Sequence, residues 1–140
     1  MAQQELWNWD VFLPITFPRV RKNTYAISKT GIIKECTNGR IVKENADNKG
    51  FAIVPLLNWD DYLNEYEVFM VDELVAWEFV SENREFGNYV LHIDGDCSNN
   101  YYKNLLWTSW DLDPDLMAEV IVAKGETDFN KYYKTRSIFA

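Results

Sequence analysis

His92 is the single histidine of the chain, and it lies in the polar stretch VLHIDGDCSNNYYKNLLW at positions 90–107. An imidazole in such a place is a candidate general base, because it can take a proton from water near neutral pH. Carboxylates and amides follow it closely, and their oxygens bind divalent cations. The same residue types, Asp94 and Gly95 among them, also build tight hydrogen-bonded loops. Three interpretations therefore compete: a catalytic metal site, a loop of similar composition, and the remnant of a site that has lost its chemistry.

Regular elements on both sides must position this loop. The apolar segments NYVLHI and NLLW, at 88–93 and 104–107, are short enough to be strands. Upstream, in FMVDELVAWEFVSEN, the spacing of apolar residues changes to that of a helix, and Asp72 is its predicted N-cap. The residues predicted to share one face of this helix are Val71, Leu74, Val75 and Phe79.

A second helix is predicted after the loop, in DPDLMAEVIVAKG at 113–125. Asp113 is its N-cap, Pro114 occupies the first helical position and Gly125 ends it. Both ends of the chain are aromatic. We predict that residues 1–18 form an irregular arm and that the mildly basic residues 126–140 form a docking arm.

The segment between the N-terminal arm and the first helix is predicted to form strands. TYAISKTGIIKE alternates around a turn at Gly31 and indicates a β-hairpin, and Asn38-Gly39 is a second turn. GFAIVPLLNW follows a third turn and reads as another strand. Pro55 within it favours an edge strand or the end of a strand, because proline donates no hydrogen bond to a neighbouring strand.

The composition is that of one globular domain. The chain has 140 residues, 47% of them hydrophobic and 16% aromatic. No apolar run approaches the roughly 20 residues that a membrane-spanning helix needs, and the N-terminus lacks the pattern of a signal peptide. Cys36 and Cys97 lie far apart, so a disulfide is not required. We expect a protein that is neither secreted nor bound to a membrane.

The charge is acidic overall but uneven. The net charge is −8, whereas positions 19–49 hold eight basic and three acidic residues, a local net of +5. An acidic protein is not a typical nucleic-acid binder. The basic segment is therefore either a separate DNA-facing side or an ordinary solvated face. The DNA-binding candidates within it are Arg19, Arg21, Lys22, Lys29 and Lys34.

Three segments, in this order, resemble the HNH endonucleases of the phage homing type. TYAISKTGIIK is similar to the NUMOD4-like module that precedes the nuclease core, and VDELVAWEFV is similar to the helix of that core. The third segment carries His92-Ile93-Asp94-Gly95, Asn99-Asn100 and Asn104-Leu105-Leu106-Trp107, which match the family's HNH motif. The likeness extends from about position 24 to position 107.

The resemblance implies an α+β fold in which small antiparallel β-hairpins precede a ββα-metal-finger core. It divides the chain into an arm and hairpin module at 1–57, an HNH-like core with its preceding helix at 58–125 and an arm at 126–140. On the family's template His92 is the general base, Asn104 braces the loop and Asp113 is the candidate metal ligand. The family places a metal-binding Asp or Asn directly before the histidine, but this chain has Leu91 there.

Two functions follow from this departure. The first is a degenerate HNH protein of a phage or another virus, no longer an enzyme, which serves as a structural or protein-binding component. It requires no cofactor and has a protein partner or forms a homo-oligomer. The alternative is an active endonuclease that nicks DNA with Mg²⁺ or Mn²⁺. Either would be located in the cytoplasm of an infected host cell or in the virion.

Overall fold

The computed structural model of the chain describes residues 11–81, 84 and 89–108. The second predicted helix at 113–125 and the C-terminal arm at 126–140 lie outside this part of the chain, as does most of the N-terminal arm. The strands within it are β1 (Phe12–Pro14), β2 (Tyr25–Ser28), β3 (Ile33–Glu35), β4 (Asn45–Ala46), β5 (Ala52–Leu57), β6 (Tyr66–Met70), β7 (Tyr89–His92) and β8 (Leu105–Thr108). The helix α1 is Val71–Phe79, and a 3₁₀ turn spans Tyr102–Asn104.

The first sheet has the antiparallel order β1-β2-β3 and contains the predicted hairpin. Its turn closes against α1 at Gly31, which has a φ of +95°. A Cβ atom at this position would lie 2.9 Å from Val71 Cγ1, so glycine is required by conformation and by space. The prediction of an irregular N-terminal arm was wrong for Phe12–Pro14, because these residues pair with β2.

The second sheet has the antiparallel order β4-β5-β6, and β5 confirms the strand predicted after Gly50. Pro55 lies in the middle of β5 and not at its end. β4 pairs only with Ala52 and Ile53, so at Pro55 the only strand paired with β5 is β6. The proline is thus at a local edge of the sheet, where a missing N–H is tolerated. The strand β6 was not predicted.

Helix α1 begins directly after β6, and its predicted apolar face is confirmed. Val71, Leu74 and Val75 are fully buried. The prediction for Asp72 was wrong: Met70 is the N-cap, it makes no side-chain cap hydrogen bond, and Asp72 lies inside the first turn with only 2% of its surface exposed. A carboxylate near a helix N-terminus is favoured by the helix dipole. Its burial, however, requires a partner from another element.

One hydrophobic core joins the three sheets to α1. It includes Ile27 from the first sheet, Val54 from the second, Leu74 from the helix and Trp107 from β8. The Trp107 indole donates hydrogen bonds from Nε1 to the carbonyls of Ala76 and Val80, at 3.3 and 2.9 Å, and so ties β8 to the end of α1. The third sheet, the hairpin of β7 and β8, is thereby fixed against the helix.

Residues on both sides of position 57 belong to the same sheet and to the same hydrophobic core. The pairing of β5 with β6 crosses position 57, and the same core includes residues from both sides. We therefore use the ranges 1–57 and 58–125 as segments of sequence and not as separate structural units. In the described part of the chain, no helix has the length and apolar character that crossing a membrane requires.

Candidate functional site

The hairpin of β7 and β8 confirms the two strands predicted around the polar loop, and it places His92 at the end that this loop connects. His92 is opposite Leu105 in the antiparallel register, and Leu91 is opposite Leu106. The Ile93 N–H donates to the Asn104 carbonyl at 2.7 Å and extends the ladder by one step. The imidazole therefore belongs to a regular strand, and the alternation of side chains along that strand decides which way it points.

Asp94 is the centre of the loop that follows His92. Its carboxylate accepts hydrogen bonds from the Asp96 N–H at 2.8 Å, from Asn99 Nδ2 at 2.8 Å and from Asn104 Nδ2 at 2.9 Å. Gly95 has a φ of +79°, and its N–H donates to the His92 carbonyl at 3.0 Å. The turn-forming roles predicted for Asp94 and Gly95 are confirmed.

Asn104 closes the loop from the other side, and it is largely buried. Its Oδ1 accepts the Asp94 N–H at 2.9 Å, while its Nδ2 donates to the Asp94 carboxylate and to the Asn99 carbonyl, both at 2.9 Å. One side chain thus joins both ends and the middle of the loop. This geometry supports the prediction that Asn104 is a brace, which remains a prediction about its role.

The surroundings of His92 are closed. Only 1% of its side chain is exposed. Its Nε2 lies 2.9 Å from Asn100 Oδ1 and 3.7 Å from the Asp72 carboxylate, and its ring faces Phe51 at a centroid distance of 5.8 Å. Three other parts of the chain therefore meet at this histidine: the first turn of α1, the residue before β5 and the loop after β7.

The protonation of His92 follows from these neighbours. Two oxygens face Nε2, so the tautomer that carries a proton on Nε2 and donates it to Asn100 Oδ1 fits these neighbours. A general base works within roughly 2.6–3.2 Å of the water that it deprotonates. In this structure 1% of the His92 side chain is exposed. The hydrogen bond between Nε2 and Asn100 fixes the orientation of the imidazole.

The described residues do not fit a divalent cation at this loop. Leu91, at the position where the resembling family has a metal ligand, is buried in the hairpin and has no oxygen to offer. The Asp94 oxygens are already used as acceptors. Over residues 11–81, 84 and 89–108, no cluster of three or more His, Cys, Asp or Glu side chains is arranged for a metal ion. The candidate ligand Asp113 lies outside these ranges.

Two of the candidate DNA-binding residues contact β6 or the turn between β5 and β6. Arg19 forms a two-pronged pair with Glu67, with both N–O distances at 2.8 Å. Arg21 contacts the Asp61 carboxylate at 3.0 Å and the carbonyls of Asn58 and Asp60 at 3.1 and 3.0 Å. Each guanidinium therefore already has carboxylate or carbonyl acceptors within the protein.

The other three candidates lie in different surroundings. Lys29 is 5.2 Å from the centre of the Tyr102 ring, and Lys34 is 4.2 Å from the centre of the Phe12 ring. Lys22 is exposed in the segment before β2. The structure brings Arg19 and Arg21 together at one turn, but it places Lys29 and Lys34 against aromatic rings elsewhere.

The partners of His92 were missed as a site. Asp72 was predicted to be a helix cap, Asn100 a loop hydrogen bonder and Phe51 only part of a strand. A signal was present for Asp72, since it shares helical spacing with the buried residues Val75 and Ala76. A carboxylate on the buried face of a helix predicts a polar partner across the core. The sequence offered no comparable signal for Phe51.

The loop carboxylate gives a prediction for acid stability. Burial by itself raises the pKa of Asp94, but the hydrogen bonds from Asn99, Asp96 and Asn104 outweigh it and hold the pKa below its ordinary value. A lowered folded-state pKa contributes stability that is present above about pH 4 and lost as pH falls further. Asp94→Asn should therefore cost about 1–3 kcal/mol at neutral pH and progressively less in acid. Urea unfolding from neutral to acid pH measures this, with Glu65→Gln as the exposed control. A cost that stays constant with pH would contradict the assignment.

The architecture as a whole corresponds to that of a known nuclease. The α+β fold, with its antiparallel strands and one helix, matches the solved structure described as "DNA binding and cleavage by the HNH homing endonuclease I-HmuI". The TM-score is 0.61, and the match covers 92% of this chain and 67% of that one. The sequences are 23% identical, so the likeness establishes the fold. The expected fold class is thereby confirmed.

A sequence relative agrees with this fold. The chain is 34% identical over 88 residues to the uncharacterized HNH endonuclease L245 of Acanthamoeba polyphaga mimivirus, a match that includes 63% of this chain. The chain spans a quarter of the length of that relative. No family model matches the chain. Over these residues the chain is a homologue of a viral protein that bears the HNH endonuclease name.

Proposed function

We propose that this chain is a non-hydrolytic HNH protein, in which the histidine of the motif stabilises the fold and the protein acts as a structural or protein-binding component. The observation that carries the proposal is the environment of His92. Its side chain is 1% exposed, and its Nε2 is bonded to Asn100 beside the Asp72 carboxylate. Both the burial and the hydrogen bond prevent the contact with water that hydrolysis of a phosphodiester needs.

Leu91 supports the same proposal. The side chain directly before the histidine packs into the hairpin core with 2% of its surface exposed. A metal ion that stabilises the leaving oxygen lowers the barrier by several kcal/mol, so an apolar residue in its coordination shell is costly for catalysis. The same Leu91 contributes to folding through burial of apolar surface. The residue thus fits a scaffold better than a reaction centre.

The arrangement of basic residues favours a protein partner over a DNA site. Affinity for DNA comes chiefly from Lys and Arg that neutralise phosphates. Arg19 and Arg21 have carboxylates of this chain as partners, and the net charge of the chain is −8. The viral relative supports a role in an infected cell, in the host cytoplasm or the virion.

The alternative is an active, metal-dependent nicking endonuclease, and one assay separates the two. Supercoiled plasmid is incubated with Mg²⁺ or Mn²⁺ and with wild type, His92→Ala or His92→Gln, after circular dichroism has shown that each variant is folded. A known nicking enzyme serves as the positive control. We expect no variant and no wild type to nick above background. Nicking by wild type that both variants lose would establish the alternative and make Asp113 the next residue to substitute. Equal nicking by all three indicates contamination and leaves His92 without a catalytic role, as proposed.

A further inference from the structure

The second sheet has two apolar faces. On one side Ala52, Val54, Leu56 and Phe69 enter the core. The cross-strand pairs on the other side are Ile53 with Met70, Pro55 with Val68 and Leu57 with Tyr66. Because side chains alternate along a strand, these six residues share one surface, which we name the outer face. An antiparallel sheet with one solvated side ordinarily carries polar residues there.

The outer face is open to solvent, and the turn that joins its two strands also exposes apolar side chains. Tyr66 and Val68 are 66% and 65% exposed. The turn between β5 and β6 adds three further exposed side chains. Of the nine exposed large hydrophobic residues in the described part of the chain, five lie within positions 59–68: Trp59, Tyr62, Leu63, Tyr66 and Val68. Such clustering in sequence, beside an apolar sheet face, favours an interaction surface, since exposed apolar residues are ordinarily scattered.

We propose that the outer face, together with the turn between β5 and β6, is the interface of a symmetric dimer, in which it packs against the same surface of a second copy of this chain. The area is sufficient. A fully covered aromatic side chain buries about 150–250 Å². At the exposed fractions of the five residues, 57–99%, about 140 Å² remains to be buried for each, or roughly 700 Å² in each copy. Two copies would bury roughly 1,400 Å², within the usual range of specific protein–protein interfaces.

The chemistry of the outer face also fits a second copy. A two-fold interface brings one surface against itself, so it must be complementary to itself. The outer face contains no charged residue, and its tyrosine and methionine are types that interface centres favour. The nearby carboxylates are partly neutralised: Asp61 in the adjoining turn pairs with Arg21, and Glu67 on the core-facing side of β6 pairs with Arg19. Repulsion between like charges of the two copies is therefore reduced.

Sedimentation velocity of the full chain over a micromolar concentration series tests the proposal. We expect wild type to approach twice 16.5 kDa, with a Kd on the order of micromolar. Val68→Lys should weaken the dimer at least about tenfold, because it places a charge at the centre of the face. Tyr66→Glu should weaken the dimer to a similar extent. Because its charge has the opposite sign, a similar effect of both variants indicates the cost of burying a charge and not a long-range electrostatic effect.

Ile41→Lys is the matched control, because Ile41 is 62% exposed and lies outside the outer face. It should keep the wild-type mass, and circular dichroism should show that all variants are folded. Wild type that stays at the monomer mass at every concentration would overturn the proposal, even if a basic protein or the arm at 126–140 were found on this face. Loss of the dimer in Ile41→Lys as well would also overturn it. The dimer does not depend on whether His92 hydrolyses DNA, so the two proposals can fail separately.

Discussion

His92→Leu should lower the free energy of unfolding by about 2–4 kcal/mol, because it removes the hydrogen-bonding imidazole from beside two buried polar side chains, Asn100 and Asp72. The leucine has an adequate apolar volume, so a cavity is not the main cause. The loss arises because the Asp72 carboxylate, with 2% of its surface exposed, no longer has the imidazole beside it. Urea unfolding, followed by tryptophan fluorescence, measures the change.

A double-mutant cycle tests whether Asp72 and His92 act as a pair. Asp72→Leu alone should cost less than His92→Leu, because the remaining imidazole keeps its bond to Asn100. The double variant should be more stable than the sum of the single costs predicts, by about 2 kcal/mol. Strictly additive costs would show that the two side chains are buried independently and would contradict the pairing.

Asn104→Ala is the second large effect, with an expected loss of about 2–4 kcal/mol. The substitution removes three hydrogen bonds at once and leaves the Asp94 N–H and the Asn99 carbonyl without this partner in a partly buried loop. Each group left unsatisfied costs about 1–3 kcal/mol. The same urea unfolding measurement applies, and hydrogen exchange at the Asp94 amide should become faster.

Asn38→Ala is the matched control, because Asn38 also makes two side-chain hydrogen bonds, to Glu35 and to the Arg40 N–H, but it is exposed. We expect it to cost less than about 1 kcal/mol. Asn104→Asp adds a second test. It retains an acceptor for the Asp94 N–H but places a carboxylate where Nδ2 met Asp94, so its cost should be largest at neutral pH and decrease in acid. Equal costs for Asn104→Ala and Asn38→Ala would contradict the bracing role.

Together these variants separate the stability of the HNH-like loop from its chemistry. A histidine kept for catalysis is often replaceable without loss of stability, whereas the proposal for His92 requires a large loss. The cycle with Asp72 therefore tests the proposed function through a positive signal, independently of the nicking assay. It also tests whether a structural role accounts for a histidine directly after the apolar Leu91.

Much of the fold was predictable because it depends on short-range patterns. Apolar spacing predicted α1, and alternation around glycine predicted β2 and β3, with Gly31 at a positive φ. The flanks of the polar loop were predicted as β7 and β8 by their apolar runs. Each of these features is encoded within about ten residues, where backbone geometry and side-chain burial follow the same period.

The missed elements depend on distant pairing. The strands β1 and β4 are only three and two residues long, and neither has a pattern of its own. They form because they pair with β2 and β5, whose backbone groups hydrogen-bond to them. The strand β6 was missed because Tyr66 and Val68 face outward while Glu67 lies on the inner side with Phe69, so the usual alternation of apolar and polar residues is absent. Pro55 is tolerated inside β5 only because β4 stops before it.

By itself, the sequence determined the motif around His92, the elements beside it and the resemblance to HNH endonucleases, because these depend on residue types at short spacing. The tertiary structure alone decided what surrounds the histidine. Asp72, Asn100 and Phe51 come from different elements, and only packing brings them within contact of the imidazole. Packing likewise decided that Arg19 and Arg21 face carboxylates of the same chain. The physical reason is that burial and pairing arise between elements distant in sequence, and they determine whether a chemically capable residue is available to react.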